Sequence, residues 1–225
     1  MTRSTTPEAL RDSSVADAIR SVRLIAVLRK VAPRERLLDL VAELAAAGVR
    51  VFEVTMDTDD AADDLEACRR ALQTGGVGRC FVGGGTVRTV EHLHAARRAR
   101  ADFAVAPVLD PAILAAALDL GLPFVPGAYT PTEADRAWRS GATFVKLFPG
   151  SSLGPAHVRE LRGPLPEIET IVTGGVDATN AVAFLEAGAI AVGIGSALLR
   201  ASPAERLAIV AATAAGDAPR PGSRR

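Results

Sequence analysis

Three stretches of this chain repeat one pattern: AAAGVRVFEV at 45–54, RSGATFVKLF at 139–148 and EAGAIAVGIG at 186–195. In each stretch a helical segment ends at a glycine, and an apolar strand follows within two residues. Glycine is common just after a helix because it adopts the left-handed conformation at little cost. A helix-to-strand unit that recurs along one chain predicts parallel strands connected by helices.

Apolar, β-branched runs recur every 20 to 29 residues between amphipathic helical segments. We predict strands near 24–28, 50–54, 79–83, 102–106, 122–126, 142–147, 169–172 and 189–193. Eight strands alternating with helices favour an α/β fold, a single (β/α)₈ TIM barrel with an extra N-terminal helix, over a doubly wound open sheet. The barrel should span 7–213, between a flexible segment 1–6 and a disordered tail 214–225. Its terminal helices should lie near 7–20 and 198–213.

Composition excludes several classes of protein. Hydrophobic residues make up 48% of the chain, and 26 basic residues balance 26 acidic ones. This balance favours neither nucleic acid nor a membrane surface as a partner. The sequence has no apolar run of about 18 residues, which a membrane span needs. No apolar segment follows the arginine at its start, so we do not expect this segment to act as a signal peptide. The cysteines, Cys68 and Cys80, show no metal-type spacing. We therefore expect a cytoplasmic protein.

Lys146 is the first candidate catalytic residue. Only two of the 26 basic residues are lysines, and Lys146 stands between Val145 and Leu147 in a predicted buried strand, whereas Lys30 should lie in a loop. Burial disfavours the ammonium form and lowers the pKa of a lysine. The neutral amine is then available to attack a carbonyl and form a Schiff base. The alternative is a structural lysine that pairs with a carboxylate or extends to solvent.

Glu53 is the second candidate. It lies five residues after Gly48, as Lys146 lies five residues after Gly141. Equivalent positions in equivalent strands place both near the carboxyl ends of their strands, where barrels hold their active sites. A buried carboxylate with a raised pKa can move protons during Schiff-base chemistry. The alternative is a structural salt bridge.

Glycine-rich segments end three of the strands. VGGGTV at 82–87 ends the third, TGGV at 173–176 the seventh, and GIGS at 193–196 the eighth. Barrels frequently bind phosphate after strands seven and eight, on backbone N–H groups. At the end of the first strand, Arg29 could hold a carboxylate or phosphate with two hydrogen bonds. The alternative for the glycines is tight turn geometry.

The sequence from about 15 to 213 resembles one family. The motifs that carry this resemblance are, in order along the chain, LIAVLR, GVRVFEVT, VGGGTV, FVPGAYTPTEA, FVKLFPGSSLGP, TGGV and GIGSAL. The family is the 2-keto-3-deoxy-6-phosphogluconate aldolase family, with its 6-phosphogalactonate and 4-hydroxy-2-oxoglutarate relatives. The resemblance implies a homotrimeric barrel without metal or cofactor, acting in carbohydrate metabolism of the Entner–Doudoroff type. The substrate would be a phosphorylated 2-keto acid, cleaved to pyruvate and glyceraldehyde 3-phosphate.

The resemblance also implies roles for individual residues. Lys146 matches the Schiff-base lysine, and Glu53 matches the carboxylate that transfers protons. The positions matching substrate-binding residues are Arg29, Thr86, Pro107, Thr173, Gly174, Gly175, Gly195 and Ser196. Thr173 is typical of the phosphogluconate branch. Asp57 departs from that branch, which has an arginine four residues after the glutamate, and the SSLGP segment at 151–155 is more similar to the galactonate branch.

Two other classes of function stay open on the sequence. A metal-dependent pyruvate aldolase would use Glu53 and Asp57 as ligands but would not need Lys146. A non-enzymatic phosphosugar-binding barrel would bind the ligand without turnover.

Overall fold

The computed structural model describes residues 6–214. Within that range no helix is both long and apolar enough to cross a membrane. The strands are β1 Leu24–Leu28, β2 Val51–Thr55, β3 Phe81–Gly85, β4 Ala104–Val105, β5 Phe124–Val125, β6 Gly127–Ala128, β7 Val145–Leu147, β8 Thr170–Thr173 and β9 Ala191–Ile194. The helices are α1 Pro7–Arg11, α2 Ser14–Val22, α3 Arg34–Ala46, α4 Ala61–Thr74, α5 Val90–Arg98, α6 Pro111–Asp119, α7 Pro131–Arg139, α8 Gly150–Arg162, α9 Ala181–Glu186, α10 Ser196–Arg200 and α11 Pro203–Ala214.

The strands form one parallel sheet that curls into a barrel, as predicted. Their order is β5-β4-β3-β2-β1-β9-β8-β7-β6. β5 and β6 are consecutive parts of one barrel strand: β5 pairs with β4, and β6 pairs with β7. The two ends of the sheet therefore meet at this strand, and nine short strands occupy the eight strand positions of a (β/α)₈ barrel.

The predicted continuous strand at 122–126 is wrong in detail, because Pro126 separates β5 from β6. Proline has no backbone N–H to donate to a neighbouring strand. Gly127, which begins β6, lies so close to the backbone of Pro107 that a Cβ atom would overlap its carbonyl group. A glycine is therefore needed where the barrel closes.

The repeated helix-to-strand pattern has the conformation that the sequence predicts. Gly48, Gly141 and Gly188 have φ angles of +104°, +100° and +109°. These left-handed values are uncommon for residues with a side chain. Each glycine ends a helix and turns the chain into the next strand, so the three units are structurally equivalent.

Helix α2 closes the amino-terminal end of the barrel. Its Val15, Ala16 and Ile19 pack with aromatic side chains from inside the barrel, including Phe103 and Phe144. The opposite end, where the strands finish, is left for the site.

Both predicted terminal helices are divided in the structure. The segment 7–20 forms α1 and α2, because Ser13 caps a new helix by accepting a hydrogen bond from the Ala16 N–H. The segment 198–213 forms α10 and α11, where Ser202 accepts a hydrogen bond from the Glu205 N–H. Of the predicted flexible ends, only Thr6 and Ala214 are among the described residues: Thr6 caps α1 and Ala214 ends α11.

Candidate active site

Glu53 and Lys146 lie on the inner face of the barrel. Glu53 is paired in register with Val27 of β1 and Gly83 of β3. Lys146 is paired with Gly127 of β6 and Ile171 of β8. The two side chains are only 1% and 5% exposed. Each ionisable group is therefore buried inside the barrel, near the carboxyl end of its strand.

Burial dominates the ionisation of this pair. It raises the pKa of the Glu53 carboxyl, although the positive charges of Lys146 and Arg29 lower it in part. It lowers the pKa of the Lys146 ammonium, an effect that Glu53 opposes and Arg29 reinforces. Both shifts favour the neutral forms, a neutral amine and a protonated carboxyl, beside one another. That pairing suits nucleophilic attack followed by proton transfer.

The surroundings of both groups leave room for a ligand. Lys146 Nζ lies 5.0 Å from the centre of the Phe148 ring. Oε1 of Glu53 is buried and has no hydrogen-bond partner within the described part of the chain. Because an unpaired buried oxygen is costly, such an atom in a barrel mouth indicates a missing partner, such as water or substrate.

A cavity of about 460 Å³ opens beside Lys146 at the carboxyl end of the barrel. It is lined by six other predicted site residues: Arg29, Thr173, Gly174, Gly175, Gly195 and Ser196. They come from the ends of β1, β8 and β9. The cavity therefore joins the lysine to the glycine-rich segments that the sequence predicts for phosphate binding.

The glycine-rich end of the cavity exposes backbone. Gly174 and Gly175 have φ angles of +85° and +77°, so the chain turns tightly there without side chains that would cover its amides. Helix α10 begins at Ser196, next to this turn in the cavity wall. Between Lys146 and the turn, the buried hydroxyl of Thr173 has no hydrogen-bond partner among residues 6–214.

Arg29 is held by residues after two other strands. Its Nη1 donates to Oδ2 of Asp57 at 3.1 Å, and its Nη2 donates to Oγ1 of Thr86 at 2.9 Å. Thr86 has a φ of +54°, a strained value for a β-branched residue that is often found at functional sites. Lys30 adds a second cation, 3.6 Å from Asp57 Oδ2.

Glu53, Thr86 and Pro107 are not among the described residues that line the cavity wall. Glu53 joins the site through its electrostatic coupling to Lys146, and Thr86 joins it through Arg29. Pro107 follows β4 and contacts Gly127 instead.

Eight residues that line the cavity are not among the predicted site residues: Val27, Phe148, Val176, Asp177, Gly193, Ala197, Leu199 and Arg200. Phe148 follows Lys146 by two positions, so strand alternation would have placed both side chains on one face. Arg200 lies four residues after Ser196, about one helical turn away. For Asp177, the sequence offered no signal.

The metal-dependent alternative would need Glu53 and Asp57 as ligands, but Asp57 is paired with cations of the protein. Asp57 faces Arg29 and Lys30. Burial opposes its ionisation, but the Thr55 side chain and the charges of Arg29 and Lys30 together keep the pKa of Asp57 below its usual range. Among residues 6–214, no group of three His, Cys, Asp or Glu side chains is arranged to hold a metal ion. The geometry instead centres on Lys146.

Comparison with protein families gives a match over nearly the whole chain. A family described as aldolase, KDPG and KHG aldolase, matches residues 15–212. KDPG denotes 2-keto-3-deoxy-6-phosphogluconate, and KHG denotes 2-keto-4-hydroxyglutarate.

Individual relatives carry two substrate names. A probable 2-dehydro-3-deoxy-6-phosphogalactonate aldolase of Rhizobium meliloti is 32% identical over 178 residues, covering 79% of this chain and 82% of the relative. A 2-dehydro-3-deoxy-phosphogluconate aldolase of Treponema pallidum is 33% identical over 175 residues, covering 76% and 80%. These two relatives, which carry different substrate names, are therefore similar to this chain to within one percentage point of identity.

A solved structure has nearly the same sequence identity to this chain as these relatives. The 4-hydroxy-2-oxoglutarate aldolase/2-deydro-3-deoxyphosphogluconate aldolase from TTHB1 superposes with a TM-score of 0.77 at 31% identity, covering 90% of this chain and 98% of that one.

Proposed function

Because the chain belongs to the KDPG and KHG aldolase family, we propose that it cleaves 2-keto-3-deoxy-6-phosphogluconate to pyruvate and glyceraldehyde 3-phosphate through a Schiff base on Lys146. Membership makes the chain a carbon–carbon lyase acting on pyruvate-derived substrates. The observation that carries the proposal is Lys146 itself, a buried amine with a lowered pKa on the wall of a cavity.

The proposed reaction begins at the keto carbon. The neutral Nζ of Lys146 attacks C2 of the substrate, and loss of water from the resulting carbinolamine gives an imine. The C3–C4 bond then breaks: its electron pair moves toward the imine to form an enamine, and the C4 hydroxyl loses its proton as the aldehyde leaves. The enamine takes up a proton at C3, and water hydrolyses the imine to release pyruvate and the free amine.

Glu53 is the group we assign to the proton transfers. Burial raises the pKa of its carboxyl, and one of its oxygens has no hydrogen-bond partner in the described part of the chain. The protonated carboxyl can give its proton to the hydroxyl that leaves the carbinolamine as water. The carboxylate that results can accept the C4 proton and then return it to C3. We propose that the phosphate lies against Gly174, Gly175, Gly195 and Ser196, with Arg200 as a cation in the same cavity wall. Pro107 remains a predicted neighbour of the pyruvyl group.

Reduction with borohydride tests the proposal directly. In the presence of pyruvate, borohydride should leave a reduced pyruvyl group on Lys146 and none on Lys30, as read by peptide mass spectrometry. Lys146→Arg keeps a positive charge but should abolish labelling. Labelling that persists in Lys146→Arg would rule out the assignment.

The galactonate epimer is the second candidate substrate. Asp57 and the SSLGP segment favour it, and the Rhizobium meliloti relative carries that name. Thr173 favours the gluconate epimer, because it lines the cavity and its buried hydroxyl, which can both donate and accept, has no partner among residues 6–214. The proposal also includes assembly as a homotrimer, which light scattering would test.

A further inference from the structure

Asp57 stands where a negative charge should oppose an anionic substrate. It is one of two residues that hold the Arg29 guanidinium: Asp57 Oδ2 accepts from Nη1 at 3.1 Å, and Thr86 Oγ1 accepts from Nη2 at 2.9 Å. The acceptors belong to separate loops, after β2 and after β3. Two contacts on different nitrogens define the plane of the guanidinium.

The guanidinium held in this way lies close to the reacting groups. Arg29 lines the cavity together with Lys146, and its charge lowers the pKa of both Lys146 and Glu53. Its side chain is 49% exposed, so it is not enclosed by its protein partners. An arginine has five N–H donors. Within the part of the chain that the structure describes, Asp57 and Thr86 each engage one, so three N–H groups are left for an anion.

Two neighbouring cations, Arg29 and Lys30, outweigh the negative charge of Asp57. Lys30 Nζ lies 3.6 Å from the carboxylate oxygen that Arg29 contacts. Arg29 and Lys30 contribute +2 and Asp57 contributes −1, so the group of three keeps a net charge of +1. An incoming carboxylate therefore meets a positive group even though an acid stands within it.

We infer that Asp57 is a positioning residue that, together with Thr86, holds the guanidinium of Arg29 toward the carboxylate of the bound 2-keto acid. The inference rests on the proposed function, since it takes the ligand to be the keto acid bound at Lys146. An arginine fixed beforehand loses less conformational freedom when the ligand binds. Asp57 would thus strengthen the binding of an anion through the orientation of its partner.

A positioning role and simple repulsion predict opposite changes in the affinity for pyruvate when Asp57 is replaced. We would measure the pyruvate concentration that gives half-maximal borohydride labelling of Lys146. In Asp57→Ala this concentration should rise about tenfold or more, the scale of a lost charge-assisted hydrogen bond, while the maximal labelling rate stays the same. Asp57→Asn, whose amide oxygen still accepts from Arg29, should give an intermediate value.

Matched variants show whether the effect passes through Arg29. Thr86→Val should weaken pyruvate binding in the same direction, and Thr86→Ser, which keeps the hydroxyl, should restore it. Asp59→Ala removes an exposed acid from the same loop and should leave the constant unchanged. Hydroxyacetone, which has the ketone but no carboxylate, should label wild type and Asp57→Ala with equal half-maximal concentrations.

Several outcomes would overturn the inference. A lower half-maximal pyruvate concentration in Asp57→Ala would show that Asp57 repels the substrate, and an unchanged one would show no role in binding. If the alanine variant does not fold, Asp57→Asn and the Thr86 pair decide the question by the same measurement. Absence of pyruvate labelling in wild type would instead remove the proposed function and this inference with it.

Discussion

A Cβ atom on Gly85 would overlap the side chain of Glu53, because Cγ, Cδ and Oε1 of the glutamate fill the space beside that glycine. The two residues lie on neighbouring strands, β2 and β3, and Gly85 is at the carboxyl end of β3. The glycine thus supplies the space in which the buried carboxylate sits. This relationship gives a test of Glu53 that leaves Glu53 itself unchanged.

Gly85→Ala should keep the fold and lose turnover by about 10² or more, approaching the effect of losing a general acid–base group. The overlapping atoms belong to a side chain that can rotate away, so the expected change is a displaced carboxylate. Turnover and thermal unfolding would be measured together.

Gly84→Ala is the matched control, since its Cβ would lie 2.7 Å from Cβ of Ala96, away from Glu53. It should lose stability by about 1–3 kcal/mol and keep turnover per folded molecule; the reverse pattern would contradict the assignment.

Glu53→Gln should remain folded and lose turnover by about 10² or more, because the amide has nearly the same shape but cannot exchange a proton. Cleavage rates under substrate saturation would measure the loss. Glu169→Gln removes another buried carboxylate, one paired with Arg20 at 2.6 Å. This control should lower stability without the same loss of turnover. A normal rate in folded Glu53→Gln would leave the carboxylate with a structural role only.

The pH dependence of pyruvate labelling should report the ionisation of Lys146. Labelling should rise with pH as the ammonium loses its proton, with a midpoint below the free-lysine pKa of about 10.4, because burial lowers the pKa of Lys146. Glu53 opposes that shift and Arg29 reinforces it. At saturating pyruvate, Glu53→Gln should therefore move the midpoint to lower pH, and Arg29→Met should move it to higher pH. Midpoints that do not move, or that move in the opposite directions, would contradict this electrostatic coupling.

Thr173→Val should change the preference between the gluconate and galactonate epimers. An unpaired buried polar group costs about 1–3 kcal/mol, which corresponds to roughly 5- to 150-fold in kcat/KM. Wild type should prefer the gluconate epimer, and the valine variant should lose that preference. Thr170→Val is the matched control. Its hydroxyl, on the same strand, is also buried and has no partner among residues 6–214, but Thr170 does not line the cavity. A wild-type preference for galactonate, or a ratio unchanged in Thr173→Val, would favour the galactonate branch.

The fold and the positions of Glu53 and Lys146 in buried strands could be predicted, because their sequence signals are local. Apolar, β-branched runs and helices that end at glycine can be recognised from a few neighbouring residues, and β1 lies at 24–28 as predicted. Lys146 and Glu53 stand out because a charge in an apolar strand is costly unless it has a use.

Contacts between distant segments could be decided only by the tertiary structure. In the sequence, Asp57 is a departure from the arginine of the phosphogluconate branch. In the structure it accepts a hydrogen bond from Arg29, 28 positions earlier in the chain. Arg200 and Asp177 reach the cavity only because α10 and the turn after β8 meet there. The sequence by itself determined where helices and strands alternate and which strands contain a charged residue, because both depend on a few neighbouring residues. The closure of the barrel decided which side chains share a cavity, because that depends on how the strand ends are brought together in space.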